Sequence, residues 1–225
     1  MLRPEAITAA RVEKILAIVE EATKGMTEPM VGLLIKKYGR DPYLILISCL
    51  LSLRSRDVMT YKICQELFKH GRTPQELLKI PQQELEALLK PIGFYRKKSQ
   101  IIKEVSQELI ERFDSKVPGT ESELLSINHV GPKTANLVLG EAFGVPAICV
   151  DTHVHRLSNR LGLVKTKTPE QTEFELKKII PQERWIQLNH LLVMWGQNIC
   201  VPLSPFCSKC ALLPVCPQVG VTKNR

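Results

Sequence analysis

The fold is decided by the segment Leu124-Leu125-Ser126-Ile127-Asn128-His129-Val130-Gly131-Pro132-Lys133-Thr134-Ala135-Asn136, which predicts a helix, a tight turn and a second helix. Pro132 suits the first position of a helix, where its missing N–H costs nothing, and Gly131 lets another molecule approach the backbone closely. Backbone N–H groups at the start of such a helix attract an anion such as phosphate without any charged side chain. Taken alone, a turn of this kind more often serves only to reverse the chain.

Helical patterns extend over most of the sequence. Apolar residues occupy every fourth position of an amphipathic stretch, at Ile101, Val105, Leu109 and Phe113. Capping boxes predict three further helix starts, at Thr73 to Glu76, Thr120 to Glu123 and Thr168 to Gln171. Only Ala147 to Val150 resembles a strand, and it is too short to form a sheet. The sequence therefore predicts an all-α protein with ten or more short helices.

Composition limits the class of protein and of partner. The 225 residues, 44% of them apolar, suffice for one large or two small domains. The formal charge of +8 favours a polyanionic partner such as nucleic acid, although a solvated basic surface would give the same value. The longest apolar stretch, Leu44 to Leu53, is too short to cross a bilayer. Met1 to Lys14 has no apolar core for a secretion signal, so we expect an intracellular protein, cytoplasmic or at the nucleoid, with no membrane partner.

Four cysteines near the end of the chain predict a metal site. Cys200, Cys207, Cys210 and Cys216 are separated by six, two and five residues, with prolines between them. Four thiolates in a short loop suit either one zinc ion or an iron–sulfur cluster. The wide first gap and the Cys216-Pro217 pair favour the cluster, and disulfides would require an oxidising compartment. The other three cysteines have apolar neighbours, which indicates buried, inert thiols.

An acidic residue follows a short apolar run. Asp151 comes directly after Ile148-Cys149-Val150 and precedes a predicted helix. We expect its carboxylate to cap that helix, and the helix dipole would keep it ionised at neutral pH.

Three features together resemble the endonuclease III family of DNA glycosylases. They are the hairpin ending in Gly131-Pro132-Lys133, the loop from Gly144 to Asp151, and the cysteine loop with its six-two-five spacing. The resemblance covers nearly the whole chain and implies a helix-hairpin-helix DNA glycosylase with two helical domains. Residues 34–145 would form a six-helix domain. Residues 1–33 and 146–225 would form a discontinuous helical domain, with a 4Fe–4S cluster in its loop at 200–216.

The resemblance also implies the activity. Lys133 takes the place of the family's nucleophile and Asp151 that of its catalytic carboxylate. A carboxylate stabilises positive charge that develops at the sugar, and an amine forms a Schiff base that permits β-elimination of the strand. The chain would therefore be a bifunctional DNA glycosylase and AP lyase. It would remove oxidised or damaged pyrimidines from duplex DNA, act on abasic sites, and be a monomer.

The positions that match the family's DNA-inserting residues are Arg54, Phe94 and His153. The well-known bacterial pattern has glutamine where Arg54 stands and leucine where Phe94 stands. An arginine can make two parallel hydrogen bonds to guanine, and a phenylalanine can stack as a wedge. These two departures from the bacterial pattern therefore leave open which base the enzyme prefers opposite the lesion.

The hairpin carries a further departure from the family pattern. His129 replaces a glycine, and if that position requires positive φ, histidine adopts it at some cost. The hairpin residues His129 and Gly131 are expected to contact DNA, His129 with a weakened contact or with a new one from its imidazole to phosphate. The loop residue Lys209 is expected to contact phosphate, and His155 and Arg156 are expected to extend the same basic face.

Two alternatives stay open at this point. One is a mismatch-specific or adenine-specific glycosylase of the same superfamily, although Lys133 argues against the monofunctional adenine type. The other is a non-catalytic DNA-binding protein with a zinc-stabilised tail.

Overall fold

The structure is a computed structural model that describes residues 9–225, and within that range it is helical throughout, with no strand. The expectation about a secretion signal falls partly on residues 1–8, which lie outside the described range. The α-helices are α1 (Ala9–Ala22), α2 (Met30–Tyr38), α3 (Pro42–Ser52), α4 (Asp57–His70), α5 (Pro74–Lys79), α6 (Gln82–Leu89), α7 (Tyr95–Phe113), α8 (Glu121–Leu125), α9 (Pro132–Phe143), α10 (Thr152–Arg160), α11 (Pro169–Ile179) and α12 (Trp185–Asn198). Short 3-10 helices cover Gln182–Arg184, Cys207–Lys209 and Leu213–Val215. The prediction of an all-α protein is confirmed.

The chain divides into two compact units. One is Pro29–Val145, and the other joins the described residues up to Glu28 to Pro146–Arg225. The first unit begins at Pro29, where the sequence suggested residue 34. It contains eight α-helices, α2 to α9, rather than the six that the resemblance implied, because prolines divide the chain into short helices: Pro74 opens α5 and Pro81 precedes α6.

The unit Pro29–Val145 is built around α3. Every side chain from Tyr43 to Leu51 in this helix is buried, as expected for a helix that is apolar on all sides. Asp41 caps its N-terminus, accepting a hydrogen bond from the Leu44 N–H at 3.0 Å. Helices α2, α4, α7 and α9 pack against α3. The apolar run that seemed too short for a bilayer is therefore the centre of a globular core.

The predicted helix starts are all confirmed. Thr73 forms a complete capping box with Glu76, and Thr120 and Thr168 accept hydrogen bonds from the backbone N–H groups of Glu123 and Gln171. The amphipathic pattern from 101 to 113 lies on α7, and its Val105 and Leu109 side chains are fully buried.

The second unit has its own core. Apolar residues of α1, α10, α11 and α12 meet there, and Leu212 of the C-terminal loop packs against them. The stretch Ala147 to Val150 is buried but pairs with no strand, because its side chains fill this region rather than a sheet edge. Within residues 9–225, no helix combines the length and apolar composition needed to cross a bilayer.

Candidate active site and thiol loop

Lys133 lies on the first turn of α9. It follows Pro132, the first residue of that helix, and its side chain is exposed. Gly131 occupies the position before the helix and supplies no capping side chain. The positive end of the helix dipole lies at this terminus, and Gly131 places no side chain in front of it. The nucleophile implied by the resemblance therefore stands beside a terminus suited to an anion.

Gly131 has no conformational reason to be glycine. Its φ of −96° is accessible to any residue, and a Cβ atom added there would meet no atom of the chain within 4 Å. The space in front of this residue is open. A glycine at this point would serve an approach from outside the chain.

His129 carries the positive φ of the hairpin. Its φ is 68°, in the left-handed region that favours glycine, so the condition raised by the sequence is met. The imidazole Nε2 lies 2.7 Å from Oε2 of Glu104 on α7. The contact to Glu104 offsets part of the backbone cost and turns the ring toward α7.

Two further residues of α7 hold the hairpin. Glu108 Oε2 accepts a hydrogen bond from the Asn128 N–H at 3.0 Å. Arg112 donates to the carbonyl oxygen of Ser126 at 3.0 Å and to its hydroxyl at 2.9 Å. These residues follow Glu104 at intervals of four, so they lie along one face of the helix. This row was not predicted, although its four-residue spacing on an amphipathic helix is visible in the sequence.

Arg54 and Phe94 are exposed and adjacent. The Arg54 guanidinium carbon lies 5.8 Å from the centre of the Phe94 ring, and 61% of the Phe94 residue is accessible to solvent. Both residues have positive φ, 55° for Arg54 and 59° for Phe94. Residues other than glycine rarely adopt this conformation, and such strain concentrates at functional sites.

The buried thiol of Cys49 is affected by the charge of Lys133. Burial in α3 raises the pKa of the Cys49 thiol to about 12, and the positive charge of Lys133 opposes that rise. The amine is therefore within electrostatic range of the α3 core. Cys49, Cys64 and Cys149 are all buried free thiols, as the sequence predicted.

Asp151 belongs to the second unit, where it caps α10. Its Oδ1 accepts hydrogen bonds from the N–H groups of His153 and Val154, both at 2.8 Å. The predicted cap is confirmed. Oδ2 takes part in neither bond, and Asp151 is half-buried behind the apolar run that precedes it.

His153 is held against α12. A Cβ atom added to Gly196 would lie 2.6 Å from His153 Nδ1 and 2.9 Å from its Cβ, so only glycine lets the two helices approach this closely. Arg156 Nη2 lies 3.1 Å from His153 Nδ1. The imidazole is half-buried and positioned by both neighbours.

Arg156 does not extend an exposed basic face. Its guanidinium donates to the carbonyl oxygens of Cys200 at 2.8 Å and Gly196 at 3.0 Å, and burial lowers its pKa. His155 likewise turns to α11, with Nδ1 2.6 Å from the Thr172 hydroxyl. The expectation for these two residues was wrong, because both side chains satisfy buried polar groups.

Arg160, one turn further along α10, binds the start of the thiol loop. It donates to the Cys200 sulfur at 3.4 Å, to the Val201 carbonyl at 2.8 Å and to the Pro202 carbonyl at 2.7 Å. The sequence analysis missed this role. The four-residue interval between Arg156 and Arg160 was its only signal.

The four loop cysteines are free thiols that interact with one another. Burial raises the pKa of Cys207, of Cys210 and of Cys216, the last to about 11, and the negative charge of neighbouring thiolates contributes to each rise. The Trp195 N–H lies close enough to Cys210 to lower the pKa of that thiol. The indole N–H is nevertheless buried without a hydrogen bond of normal geometry within the described chain. A cysteine sulfur that stays anionic because it binds a metal would give the Trp195 N–H an acceptor. The four thiols therefore fit a soft metal centre.

Among residues 9–225, no three or more histidine, cysteine, aspartate or glutamate side chains converge in a way that could hold a metal ion. Lys209 is exposed and lies in the 3-10 helix Cys207–Lys209.

Comparison with known proteins decides the family. The model of the HhH-GPD superfamily of base excision DNA repair proteins matches residues 47–182. Endonuclease III of Thermotoga maritima is 45% identical over 85% of this chain and 92% of its own length. The chain belongs to the endonuclease III family. It is a base excision repair enzyme with DNA glycosylase and AP lyase activity, which excludes the non-catalytic alternative.

Similarity to other members of the endonuclease III family supports the same assignment. The chloroplastic endonuclease III homolog 2 of Arabidopsis thaliana is 40% identical over 78% of the chain, which spans about half (48%) of that longer relative. A solved non-covalent endonuclease III–DNA complex superposes with a TM-score of 0.84 at 34% identity and covers 97% of both chains. A trapped endonuclease III–DNA covalent intermediate gives a TM-score of 0.82 at the same identity and coverage.

Proposed function

We propose that this enzyme removes oxidised or otherwise damaged pyrimidines from duplex DNA and then cuts the strand at the resulting abasic site. Lys133 is the proposed nucleophile, and Asp151 is the proposed carboxylate that stabilises the reacting sugar. DNA as substrate places the proposed site of action at the nucleoid, and the protein is proposed to act as a monomer.

The observation that carries the proposal is the position of Lys133. This exposed residue lies on the first turn of α9, two positions after Gly131, a hairpin glycine that nothing in the chain itself requires. Phosphate bound at that helix start would bring the DNA backbone to the amine without help from other side chains. The covalent endonuclease III–DNA intermediate among the similar structures is consistent with an attacking nucleophile.

Asp151 suits the second role because of how it is fixed. Two N–H donors hold Oδ1 in place, so the carboxylate needs no reorganisation when charge develops on the sugar. Its position before α10 places it at the N-terminal end of the helix dipole, which interacts favourably with a negative charge. An ionised, preorientated carboxylate stabilises the cationic character of C1′ as the bond to the base breaks.

The proposed reaction has two stages. The neutral Lys133 amine bonds to C1′, and the damaged base leaves with the electron pair of the glycosidic bond and takes up a proton. The amine then loses a proton, the C1′–O4′ bond breaks, and O4′ keeps its electron pair and takes up a proton. The sugar ring is thereby opened, and a Schiff base forms between Nζ and C1′. Loss of a proton from C2′ expels the 3′ phosphate by β-elimination, and water finally releases Lys133.

The proposed DNA contacts follow from exposure and strain. Arg54 and Phe94, side by side on strained turns, are proposed to fill the space left by the extruded nucleotide, with Arg54 facing the opposite base. Gly131 and the backbone at His129 are proposed to face phosphate, since the His129 ring itself is turned to Glu104. His153 and Lys209 are proposed to contact DNA from the second unit.

A 4Fe–4S cluster is the proposed cofactor. The four loop thiols Cys200, Cys207, Cys210 and Cys216 would hold it. Arg160, which donates to the Cys200 sulfur, and the Trp195 N–H, which acts on Cys210, would stabilise the negative charge of these thiolates. When bound, the cluster supplies iron–thiolate bonds that close the loop, a structural rather than a catalytic contribution. A closed loop would present Lys209 to phosphate at low entropic cost.

Borohydride reduction on abasic-site duplex tests the proposal. Wild-type protein is expected to give a covalent protein–DNA adduct, and Lys133→Gln is expected to give none. Lys116→Gln, which removes an exposed lysine beyond α7, is the matched control and should trap like wild type. An adduct in Lys133→Gln at the wild-type level would show that another amine attacks.

A panel of duplexes tests the substrate class. Oxidised pyrimidines should be excised faster than oxidised purines, mismatched thymine or mismatched adenine under single-turnover conditions. Preferential excision of a mismatched base would replace the proposed substrate with that of a mismatch glycosylase and leave the role of Lys133 intact.

A further inference from the structure

Lys98 is a buried lysine whose ammonium group contacts only neutral oxygens in the bonds it makes. Only 5% of the residue is accessible. Its Nζ donates to the carbonyl oxygen of Leu51 at 2.8 Å and to the hydroxyl of Ser55 at 2.7 Å. Burial lowers its pKa to about 8. A buried cation with neutral partners costs stability, so its presence calls for another explanation.

The position of Lys98 within α7 adds to that cost. It lies on the first turn of this helix, where the helix dipole disfavours a positive charge. Its ammonium group donates to a different helix, α3. Leu51 lies in the last turn of α3, where carbonyl groups lack partners within the helix. Lys98 therefore links the start of α7 to the end of α3.

That link spans two strained turns. At the end of α3, the Ser55 N–H donates to the Ser52 carbonyl at 3.0 Å, and Arg54 has a φ of 55° at the third position of the turn, which normally favours glycine. At the start of α7, Phe94 is left-handed, with φ 59° and ψ 28°.

Lys98 bonds to both turns with different atoms. Its backbone N–H donates to the Phe94 carbonyl at 2.9 Å, while its ammonium holds Ser55, the residue after Arg54. Gly93 packs close to the other side, because a Cβ atom there would lie 3.7 Å from the Arg54 carbonyl oxygen. The turns that carry Arg54 and Phe94 are thus joined through the Lys98 side chain and backbone and through the contact at Gly93.

We infer that Lys98 is a positioning residue that holds Arg54 and Phe94 in register and thereby sets discrimination between bases opposite the lesion. The inference rests on the proposed DNA contacts of those two residues. A displaced Arg54 keeps its charge and its attraction for DNA but loses the fixed geometry that two parallel hydrogen bonds to one base require.

Lys98→Met tests this, because it keeps an unbranched side chain and removes the ammonium. Ser55→Ala removes one acceptor only and serves if Lys98→Met fails to fold. Lys103→Met is the matched control, since Lys103 on the same helix also donates to helix-end carbonyl groups, at Ile80 (2.6 Å) and Leu78 (3.5 Å), away from Arg54. Thermal melting monitors the fold of each variant.

Two measurements are made on duplexes with one abasic site. The first is the single-turnover cleavage rate opposite guanine relative to adenine. The second is the fluorescence of 2-aminopurine placed opposite the abasic site, which rises when that base is unstacked. In Lys98→Met the guanine-to-adenine ratio is expected to fall by roughly tenfold and the fluorescence change to shrink, with a smaller effect in Ser55→Ala. Lys103→Met should match wild type in both.

The outcomes separate this inference from the proposed function. Wild-type ratio and fluorescence in Lys98→Met, the same losses in Lys103→Met, or equal wild-type rates opposite guanine and adenine would each overturn the role of Lys98. Absence of a borohydride adduct in wild type would instead overturn the proposed nucleophile. The adduct is detected on a gel, independently of the fluorescence measurement.

Discussion

His129 and Glu104 are joined by a contact of 2.7 Å between Nε2 and Oε2, so the residue with the strained hairpin backbone is tied to the long helix α7. The chain thus accepts a histidine where glycine would cost less, and it recovers part of the cost through a side-chain partner. The hairpin is held by its neighbours as well as by its own turn.

Substitution of His129 should reveal that strain. We expect His129→Ala to be less stable than His129→Gly by about 1 to 2 kcal/mol, because alanine at positive φ is strained and glycine is not. Urea unfolding of both variants measures the difference. At the exposed helical position Lys62 the order should reverse, with alanine favoured by about 1 kcal/mol over glycine. Equal stability of the two His129 variants would mean that the backbone relaxes to negative φ.

Two glycines should respond in opposite ways to alanine. Gly131→Ala should leave the free energy of unfolding unchanged or raise it by up to about 1 kcal/mol, since the added methyl group meets nothing. Its affinity for abasic-site duplex should fall by roughly three- to tenfold if phosphate approaches this residue. Gly196→Ala should lower stability by about 1 to 3 kcal/mol, because the methyl group overlaps His153. Unchanged DNA affinity in Gly131→Ala would remove the phosphate contact from the proposal.

Asp151→Asn separates capping from chemistry. An asparagine oxygen can still accept from the His153 and Val154 N–H groups, so stability should change by less than about 1 kcal/mol. Base excision should fall by about a hundredfold or more, because the charge that stabilises C1′ is gone. Asp41→Asn, the equivalent cap of α3, is the control and should excise at the wild-type rate. Normal turnover by Asp151→Asn would show that the carboxylate has no part in catalysis.

The pKa of Lys98 predicts a dependence of stability on pH. Burial lowers this pKa from 10.5 to about 8, so below pH 8 the folded state carries the full cost of the buried charge. Between pH 8 and 10.5 the folded state gives up the proton while the unfolded state keeps it, and stability contributed at this site rises with pH. The stability of wild type relative to Lys98→Met should therefore increase by about 1 to 2 kcal/mol from pH 7.5 to 10. A constant difference in urea unfolding across this range would contradict the buried, protonated amine.

Removal of one loop thiol should abolish metal binding. Cys216→Ser is expected to lack iron and visible absorption and to melt at lower temperature, because Cys216 also packs against the core of its unit. Cys64→Ala, which alters a buried thiol of the other unit, should retain full iron content. A colourless wild-type protein with one equivalent of zinc would replace the proposed cluster with a zinc site.

The sequence predicted those parts of the fold that depend on local patterns. The apolar period on α7 and the threonine caps at Thr73, Thr120 and Thr168 act within a few residues, so their signals are complete in one segment. The six helices that the resemblance implied for residues 34–145 are two fewer than the unit Pro29–Val145 contains. A short helix such as α6 buries few side chains and has no side-chain cap, so its local signal is weak.

Site features that depend on tertiary contacts were harder to predict. Asp151 was recognised as a cap because capping is local. Arg156 was taken for a surface residue, and its buried partners, the carbonyl groups of Gly196 and Cys200, are 40 and 44 residues away. Lys98 and Leu51 are similarly distant in sequence. A lone basic residue carries no sign of such partners until the helices are packed.

Helix α3 has a consequence for natural variation. Nine successive side chains from Tyr43 to Leu51 are buried, and the hydroxyl of Ser48 is satisfied within the helix by the carbonyl of Ile45. A missense change to a charged residue at any of these positions would bury that charge without a counterion. We therefore expect orthologues to drift in this segment only among apolar and small residues, while the surface of α4 beside it diverges freely.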